Sequence, residues 1–341
     1  MTTAELCFAL AKANGTSGDE SAFIDETRVL LAPFASFREN TLHSLIATVG
    51  TGDFEILLDA HIDRVGLLVR SIDDNGFLLV DKVGGIDPRV LVGSEVTVMG
   101  KRALPGVICS TPPHLQKGGE SKSEISMKEL AVDIGLSKAQ AQELVEIGDR
   151  VTFLPNQAQL LGTRIVSSAF DDRAGVAALL LTAELVKDKL SHCRVRLQLA
   201  SQEETGGSGA KTSAFTASPD VAIAVDVGFG SDPYCDKHET IDLGGGPSIG
   251  ISPALDRALT QELVALAKEN GIPYQHDVMP GRTGTNADSI NISRGGVKTA
   301  LLSIPLRSMH TAVEVIDTAD VENTAKLLAA YILKKEAELS C

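Results

Sequence analysis

The sequence has 341 residues, of which 43% are hydrophobic, and a formal net charge of −14; this length accommodates one large domain, or one domain with a sizeable insertion. The acidic balance and the lack of a basic block argue against nucleic acid as a partner, and no apolar run approaches the roughly 18 residues of a membrane-spanning helix, so we expect no membrane contact. Scattered cysteines without CxxC spacing, and a start that lacks the basic region of a signal peptide, predict a cytoplasmic protein without a thiolate metal site.

The first strongly apolar run, DFEILLDAH at 53–61, ends at a polar residue and predicts a buried strand. The segment 67–160 differs, because its β-like runs are short and turn residues separate them at intervals typical of a small barrel. One helix is predicted there at about 138–147, where Ser137 and Gln140 have the spacing of a capping box. We therefore predict that 67–160 is a β domain inserted into an α/β domain.

Strands and helices alternate in the rest of the chain. Near-continuous apolar runs predict further strands buried on both faces, at 194–201, 220–228 and 298–305. Helical spacing predicts helices at 172–188, 256–270 and 317–338. We predict an α/β fold whose mostly parallel central sheet is flanked by helices and built from 1–66 and 161–341, with the inserted part forming a small β-barrel domain.

Residues that can bind metal follow several of these strands. His61 and Asp63 are two residues apart, which puts both side chains on one face of an extended strand. His61 could bind a metal and Asp63 could orient it, although a surface pair without any ligand explains the motif equally well. Asp171 and Asp172 stand at the start of a predicted helix, where one aspartate is an ordinary N-cap. A cap needs only one of them, which leaves the other free to be a ligand.

The strand at 194–201 is followed by Glu203 and Glu204, and then by glycines that let the backbone come close to a ligand. Successive residues point in different directions, so one glutamate can bind a metal while the other acts on the water beside it. A solvated acidic turn is the simpler alternative. Asp226 ends the next strand, where a turn aspartate would also be ordinary, and His310 follows the last strand. A single histidine is more often structural than a ligand.

Taken together, these residues place two histidines and several carboxylates at the carboxyl ends of successive strands, where open α/β sheets have their sites. Nitrogen and oxygen ligands without a thiolate suit Zn²⁺, Co²⁺ or Mn²⁺. Because the ligands are too many for one ion, two ions about 3.5–4 Å apart, bridged by one carboxylate, use them better. Such a pair lowers the pKa of a bridging water molecule, and a spare carboxylate takes its proton.

Several motifs occur in a fixed order along nearly the whole chain, among them AHIDRVG (60–66), GGIDPRVLVGSEV (84–96), IGDRVTF (147–153), AFDDRAG (169–175), SQEETGGSGA (201–210) and IPLRSMHTAVEV (304–315). In this order they resemble the M42 family of metallo-aminopeptidases, the glutamyl and tetrahedral aminopeptidase group. The resemblance is specific because it spans the inserted segment as well as the candidate ligands. It implies an aminopeptidase-type phosphorylase/hydrolase-like fold with a β dimerisation domain, and the removal of N-terminal residues from short peptides.

The resemblance also implies a role for each candidate residue. Glu203 would be the general base, and Asp63 would orient the metal ligand His61. The metal ligands would be His61, Asp171 as the bridge, Glu204, Asp226 and His310. Two divalent ions per subunit are implied, Zn²⁺ or Co²⁺ before Mn²⁺, together with self-association as a dimer or a tetrahedral dodecamer.

Two positions depart from the family pattern: Arg64 stands where the family usually has Glu, and Asn286 where it usually has Asp. Each change removes a negative charge, so we expect effects on substrate preference or assembly rather than on the chemistry. Other functions stay open. Another amidohydrolase could use the same metal centre. An endoglucanase-type glycosidase needs two carboxyl groups and no metal, which would leave the histidines unexplained, and a non-catalytic scaffold would leave the whole set of ligands unexplained.

Overall fold

The computed structural model describes residues 1–112, 125–233, 235–236 and 239–340, and in this part of the chain it contains a large sheet flanked by helices and a closed barrel. The described strands are β1 (Arg38–Glu39), β2 (Leu45–Val49), β3 (Phe54–His61), β4 (Gly66–Ile72), β5 (Leu78–Val83), β6 (Glu95–Met99), β7 (Ala103–Ser110), β8 (Leu130–Asp133), β9 (Arg150–Phe153), β10 (Ala158–Gln159), β11 (Arg164–Ser167), β12 (Cys193–Ala200), β13 (Val221–Phe229), β14 (Ser248–Ile251), β15 (Gln275–Val278), β16 (Lys298–Arg307) and β17 (Glu314–Asp317). The described α-helices are α1 (Thr3–Lys12), α2 (Ser21–Leu31), α3 (Lys138–Leu144), α4 (Phe170–Val186), α5 (Ser208–Ala217), α6 (Arg257–Glu269), α7 (Ala287–Ile290) and α8 (Thr318–Leu339).

The large sheet is parallel at its centre and antiparallel towards both edges. Its strand order is β1-β2-β12-β3-β13-β16-β17-β11-β10, and β14 pairs with β16 and carries β15 beside it. The four neighbours β12, β3, β13 and β16 are parallel, and they are the strands that the apolar runs predicted. The α/β class is therefore confirmed, with a sheet that is mixed. Parallel register brings the carboxyl ends of the four central strands to one edge.

Both faces of this sheet are covered, which explains why its central strands are apolar at nearly every position. Along β3, Ile56 and Leu58 point into the main core, which α1, α4, α6 and α8 help to form. Leu57 points to the opposite face, where α5 and α7 pack. Among the helices that the structure describes, none is both long and apolar enough to cross a lipid bilayer.

The barrel closes in the order β4-β5-β8-β7-β6-β9. Its strands alternate as a small barrel requires: along β7, Leu104 and Ile108 are buried in the interior, whereas Val107 is exposed. Along the chain, the barrel strands come after β3 and before β10, and both of these strands belong to the large sheet. The barrel thus occupies most of the predicted segment 67–160.

Candidate metal centre

The carboxyl ends of the central strands bring the sequence-predicted residues to one place. His61 is the last residue of β3, and Asp226 lies in the last part of β13. Glu203 and Glu204 occupy the turn after β12, and His310 follows β16. Because these strands are parallel and adjacent, residues far apart in sequence meet at this edge of the sheet.

Two clusters of potential metal ligands share Asp171, which lies at the start of α4. In one cluster, His61 Nε2 lies 3.1 Å from Asp171 Oδ1 and 3.8 Å from Asp226 Oδ1. In the other, His310 Nε2 lies 3.1 Å from Asp171 Oδ2 and 3.4 Å from Glu204 Oε1. Within each cluster, the ligand atoms lie within 4.8 Å of one another. A carboxylate with one oxygen in each cluster has the geometry of a bridging ligand.

Asp63 is fully buried and organises the surroundings of both clusters. Its Oδ1 accepts a hydrogen bond from the backbone N–H of Glu203 (3.0 Å), and its Oδ2 accepts one from that of Glu204 (3.1 Å). The Nδ1 atom of His61 lies 3.0 Å from the Asp63 carbonyl oxygen and 3.6 Å from its Oδ1. Burial would raise the pKa of Asp63, but these contacts lower it, so the ionised carboxylate is the favoured form. Asp63 thus holds both the imidazole and the glutamate turn.

Glu203 lies in the same cavity but belongs to neither cluster. Burial raises the pKa of its carboxyl group to about 8, and the nearby carboxylates of Glu204 and Asp63 act in the same direction, although His61 opposes them. A carboxyl group that titrates near neutral pH can both accept and donate a proton during a reaction. The two adjacent glutamates therefore differ in their surroundings, since Glu204 belongs to a ligand cluster and Glu203 does not.

Two further acidic residues support the ligands: Glu314, which the sequence analysis did not consider, and Asp172, one of the two aspartates considered as the helix cap. The buried carboxylate of Glu314 accepts hydrogen bonds from the backbone N–H groups of Asp171 (3.2 Å) and His310 (3.0 Å), and so contacts a ligand of each cluster. Asp172 accepts bonds from His61 N (3.1 Å) and Gly175 N (3.0 Å), so it caps the helix and leaves Asp171 to the clusters. Glu314 lies within the motif IPLRSMHTAVEV, so this motif could have identified it from the sequence.

The electrostatics of the clusters favour a cation. Burial raises the pKa of Glu204 and of Asp226, and it would also lower the pKa of both histidines. Contact with the carboxylates instead raises the pKa of His61, and it raises that of His310 to about 11. In addition, the buried Glu204 Oε1 atom has no hydrogen bond of good geometry. The clustered carboxylates thus favour positive charge between them, and divalent ions would supply it.

The two positions that depart from the family pattern lie near the site but not in its cavity. Arg64 is buried, and its Nη2 donates to Ser168 Oγ (2.9 Å) and more weakly to the Phe153 carbonyl oxygen (3.4 Å), where barrel and large sheet meet. Asn286 is buried at the start of α7, beside Asp59. Since neither lines the cavity, any effect on the substrate would be indirect.

A cavity of about 390 Å³ opens beside the clusters. Its walls include the ligands themselves and apolar side chains from β13 and β16, together with the segment at 283–285. This volume is within the range of small-ligand sites. Histidines and carboxylates beside a cavity that also holds a separate glutamate, at the carboxyl edge of an α/β sheet, form an arrangement that suits a metal-dependent hydrolase.

Comparison with protein families agrees with this class. Residues 43–327 match the family described as M42 glutamyl aminopeptidase. The chain therefore belongs to the M42 family of peptidases and is a peptide hydrolase, as the motifs indicated. The match covers the barrel as well as the candidate metal centre.

Individual relatives extend along the whole chain. The lysyl aminopeptidase of Pyrococcus furiosus is 34% identical over 337 residues, which are 96% of each chain. The solved structure of a TET aminopeptidase from Thaumarchaeota archaeon SCGC AB-539-E09 has a TM-score of 0.93 and 30% identity, and the match covers 99% of this chain and 97% of that one. The TET1 peptidase of Pyrococcus horikoshii, whose structure is described as able to assemble into a tetrahedron or a large octahedral shell, has a TM-score of 0.85 and 34% identity over 98% of this chain and all of the other.

Proposed function

We propose that this protein is a dinuclear metal-dependent aminopeptidase that removes N-terminal residues from short peptides, with Glu203 as the general base. The observation that carries the proposal is the division of ligands around Asp171, whose Oδ1 and Oδ2 atoms face different histidines. One ion would be held by His61, Asp171 and Asp226, and the other by Asp171, Glu204 and His310.

The residues fit such a pair of ions. Each cluster offers one imidazole nitrogen and two carboxylates, a donor set that suits Zn²⁺ or Co²⁺, and Mn²⁺ as well. The buried Glu204 Oε1 atom, which lacks a good hydrogen bond, would gain a partner. When bound, two divalent ions polarise the scissile carbonyl group and lower the pKa of a water molecule that attacks it.

The protein's own residues would supply positioning and proton transfer. Glu203 would take the proton from the attacking water molecule and deliver it to the leaving amine, which suits a pKa near neutrality. Asp63 holds the backbone of Glu203 by a 3.0 Å hydrogen bond and so helps to position the base beside the clusters. Glu314 would keep Asp171 and His310 in their ligand geometry.

Two assays test this proposal against its alternatives. Removal of metal with a chelator should abolish peptide hydrolysis, and Zn²⁺, Co²⁺ or Mn²⁺ should restore it. The activity of a glycosidase with two catalytic carboxyl groups would not respond to the chelator. A peptide with a free amino terminus should be cleaved and its N-acetylated form should not. Cleavage of both forms at equal rates would indicate another amidohydrolase.

We also propose that the protein self-associates. The support is the separate barrel, which the family resemblance identifies as a dimerisation module, and the assembly described for the related TET1 peptidase. A dimer is the smallest assembly that this proposal allows, and a dodecamer is the largest that we expect.

A further inference from the structure

The cavity beside the metal centre contains two carboxylates that the proposed reaction does not use. Asp277 and Glu239 line it, and none of the described lining residues is a lysine or an arginine. Neither carboxylate has a hydrogen-bond or ion-pair partner among the residues that the structure describes. A half-buried carboxylate without a counter-charge is unfavourable in the free protein, and a cationic ligand would relieve that cost.

The two carboxylates reach the cavity from different segments. Along β15 and just beyond it, Asp277 and Met279 line the cavity, whereas Val278 between them is 70% exposed, as expected from the alternation of an extended chain. Asp277 is half-buried, and this burial raises the pKa of its carboxyl group. Glu239 comes from a different segment, two residues before Ile241, whose backbone N–H donates to the Phe229 carbonyl oxygen at 2.9 Å.

The charge of the cavity follows from these residues. Asp277 and Glu239 add two carboxylates that the proposed metal centre does not use, and the described lining offers no lysine or arginine to balance them. The walls near them are apolar, with side chains of Val227, Phe229, Ile241, Met279 and Leu301. Lysine and arginine combine an apolar stem with a cationic head, and so match walls of this kind with acidic groups among them.

We infer that the enzyme prefers peptides whose N-terminal residue is lysine or arginine, with Asp277 as the principal specificity-determining residue and Glu239 as a weaker one. This inference rests on the proposed aminopeptidase function. The names of the relatives do not decide which N-terminal residue this enzyme prefers, because the family description names a glutamyl aminopeptidase and the Pyrococcus furiosus relative is a lysyl aminopeptidase. An N-terminal glutamate would be repelled by both carboxylates.

The test compares lysyl, norleucyl and glutamyl p-nitroanilides with the metal-loaded, full-length protein. The lysyl and norleucyl side chains have similar stems and differ in the terminal ammonium group. We expect kcat/KM for the lysyl substrate to exceed that for the norleucyl substrate by about tenfold or more, as for a charge-assisted contact, and the glutamyl substrate to be the slowest. If the norleucyl substrate is hydrolysed as fast as the lysyl substrate or faster, the inferred preference is wrong, but the proposed aminopeptidase function stands. Hydrolysis of none of the substrates under any metal would overturn the proposed function and this preference with it.

Matched variants then test whether Asp277 determines this preference. Asp277→Asn should lower kcat/KM for the lysyl substrate about tenfold and leave the norleucyl substrate nearly unchanged. Glu239→Gln should act in the same direction but less, because Glu239 is exposed. Glu269→Gln removes the same charge from the exposed surface of α6 and should leave the ratio of the two substrates unchanged. Thermal melting confirms folding, and an unchanged lysyl-to-norleucyl ratio in folded Asp277→Asn would contradict the role of Asp277.

Discussion

Replacing each of the adjacent glutamates by glutamine should separate a base from a metal ligand. Glu203→Gln preserves the size of the side chain, and the hydrogen bond from its backbone N–H to Asp63 does not involve the side chain. Glutamine cannot accept the proton of the attacking water molecule, so kcat should fall by about 10²–10⁴. Because Glu203 belongs to neither ligand cluster, metal content should be nearly unchanged.

Glu204→Gln should act differently, because Glu204 is one of the three ligands that cluster on the His310 side in the part of the chain that the structure describes. A neutral amide oxygen is a weaker ligand than a carboxylate, and loss of one such contact should lower the affinity for that ion while the His61 cluster stays intact. Excess metal should therefore restore part of the activity of this variant, and none of the activity of Glu203→Gln.

The assay measures metal stoichiometry and kcat on both purified variants, over a series of metal concentrations. The two roles are reversed if Glu203→Gln loses an ion while Glu204→Gln retains both. If neither variant changes metal content or kcat, then the pair lies outside the reaction and the mechanism proposed for it is wrong.

Four further predictions follow from the same contacts. Contact with carboxylates raises the pKa of His61 and of His310 above the ordinary value in the metal-free protein, which favours the protonated imidazoles; metal binding should therefore release protons and metal affinity should rise with pH, and calorimetry that finds no proton release would contradict this. Glu314→Gln leaves one of two backbone N–H groups without an acceptor, so metal affinity should fall by about 10–100-fold, whereas an unchanged dissociation constant would remove its positioning role. Light scattering of the full-length protein at micromolar concentration should show a dimer or larger, and a monomer would refute self-association. Leu263→Ala, in the fully buried part of α6, should lower the free energy of unfolding by about 2–5 kcal/mol in a denaturant titration, and a loss below about 1 kcal/mol would contradict its place in the core.

The central strands could be predicted from the sequence because burial on both faces makes β3, β12, β13 and β16 apolar throughout. The helix α3 was predicted from its capping box, and it begins at Lys138 as expected, although it ends at Leu144 rather than near 147. The outer strands were not predicted. They are short, and some of them, such as β1, are two exposed residues long, so they leave no periodic pattern in the sequence.

For the candidate site, the sequence supplied the residue types and the structure supplied their grouping. Spacing alone could not show that Asp171 directs its two oxygens to different histidines, because that depends on where α4 begins relative to the ends of β3 and β16. Asp277 was missed for a related reason. Its strand, β15, is short and half-exposed, so neither apolarity nor a motif marks it.

The most direct test of the central claim is the number of ions that activity requires. Metal-free protein should be titrated with Zn²⁺ or Co²⁺, and bound metal and hydrolysis of a peptide with a free amino terminus should be measured in the same samples. The account predicts no activity without metal and a maximum at two ions per chain. Full activity in the metal-free protein, or saturation of binding at a single ion with full activity, would contradict it.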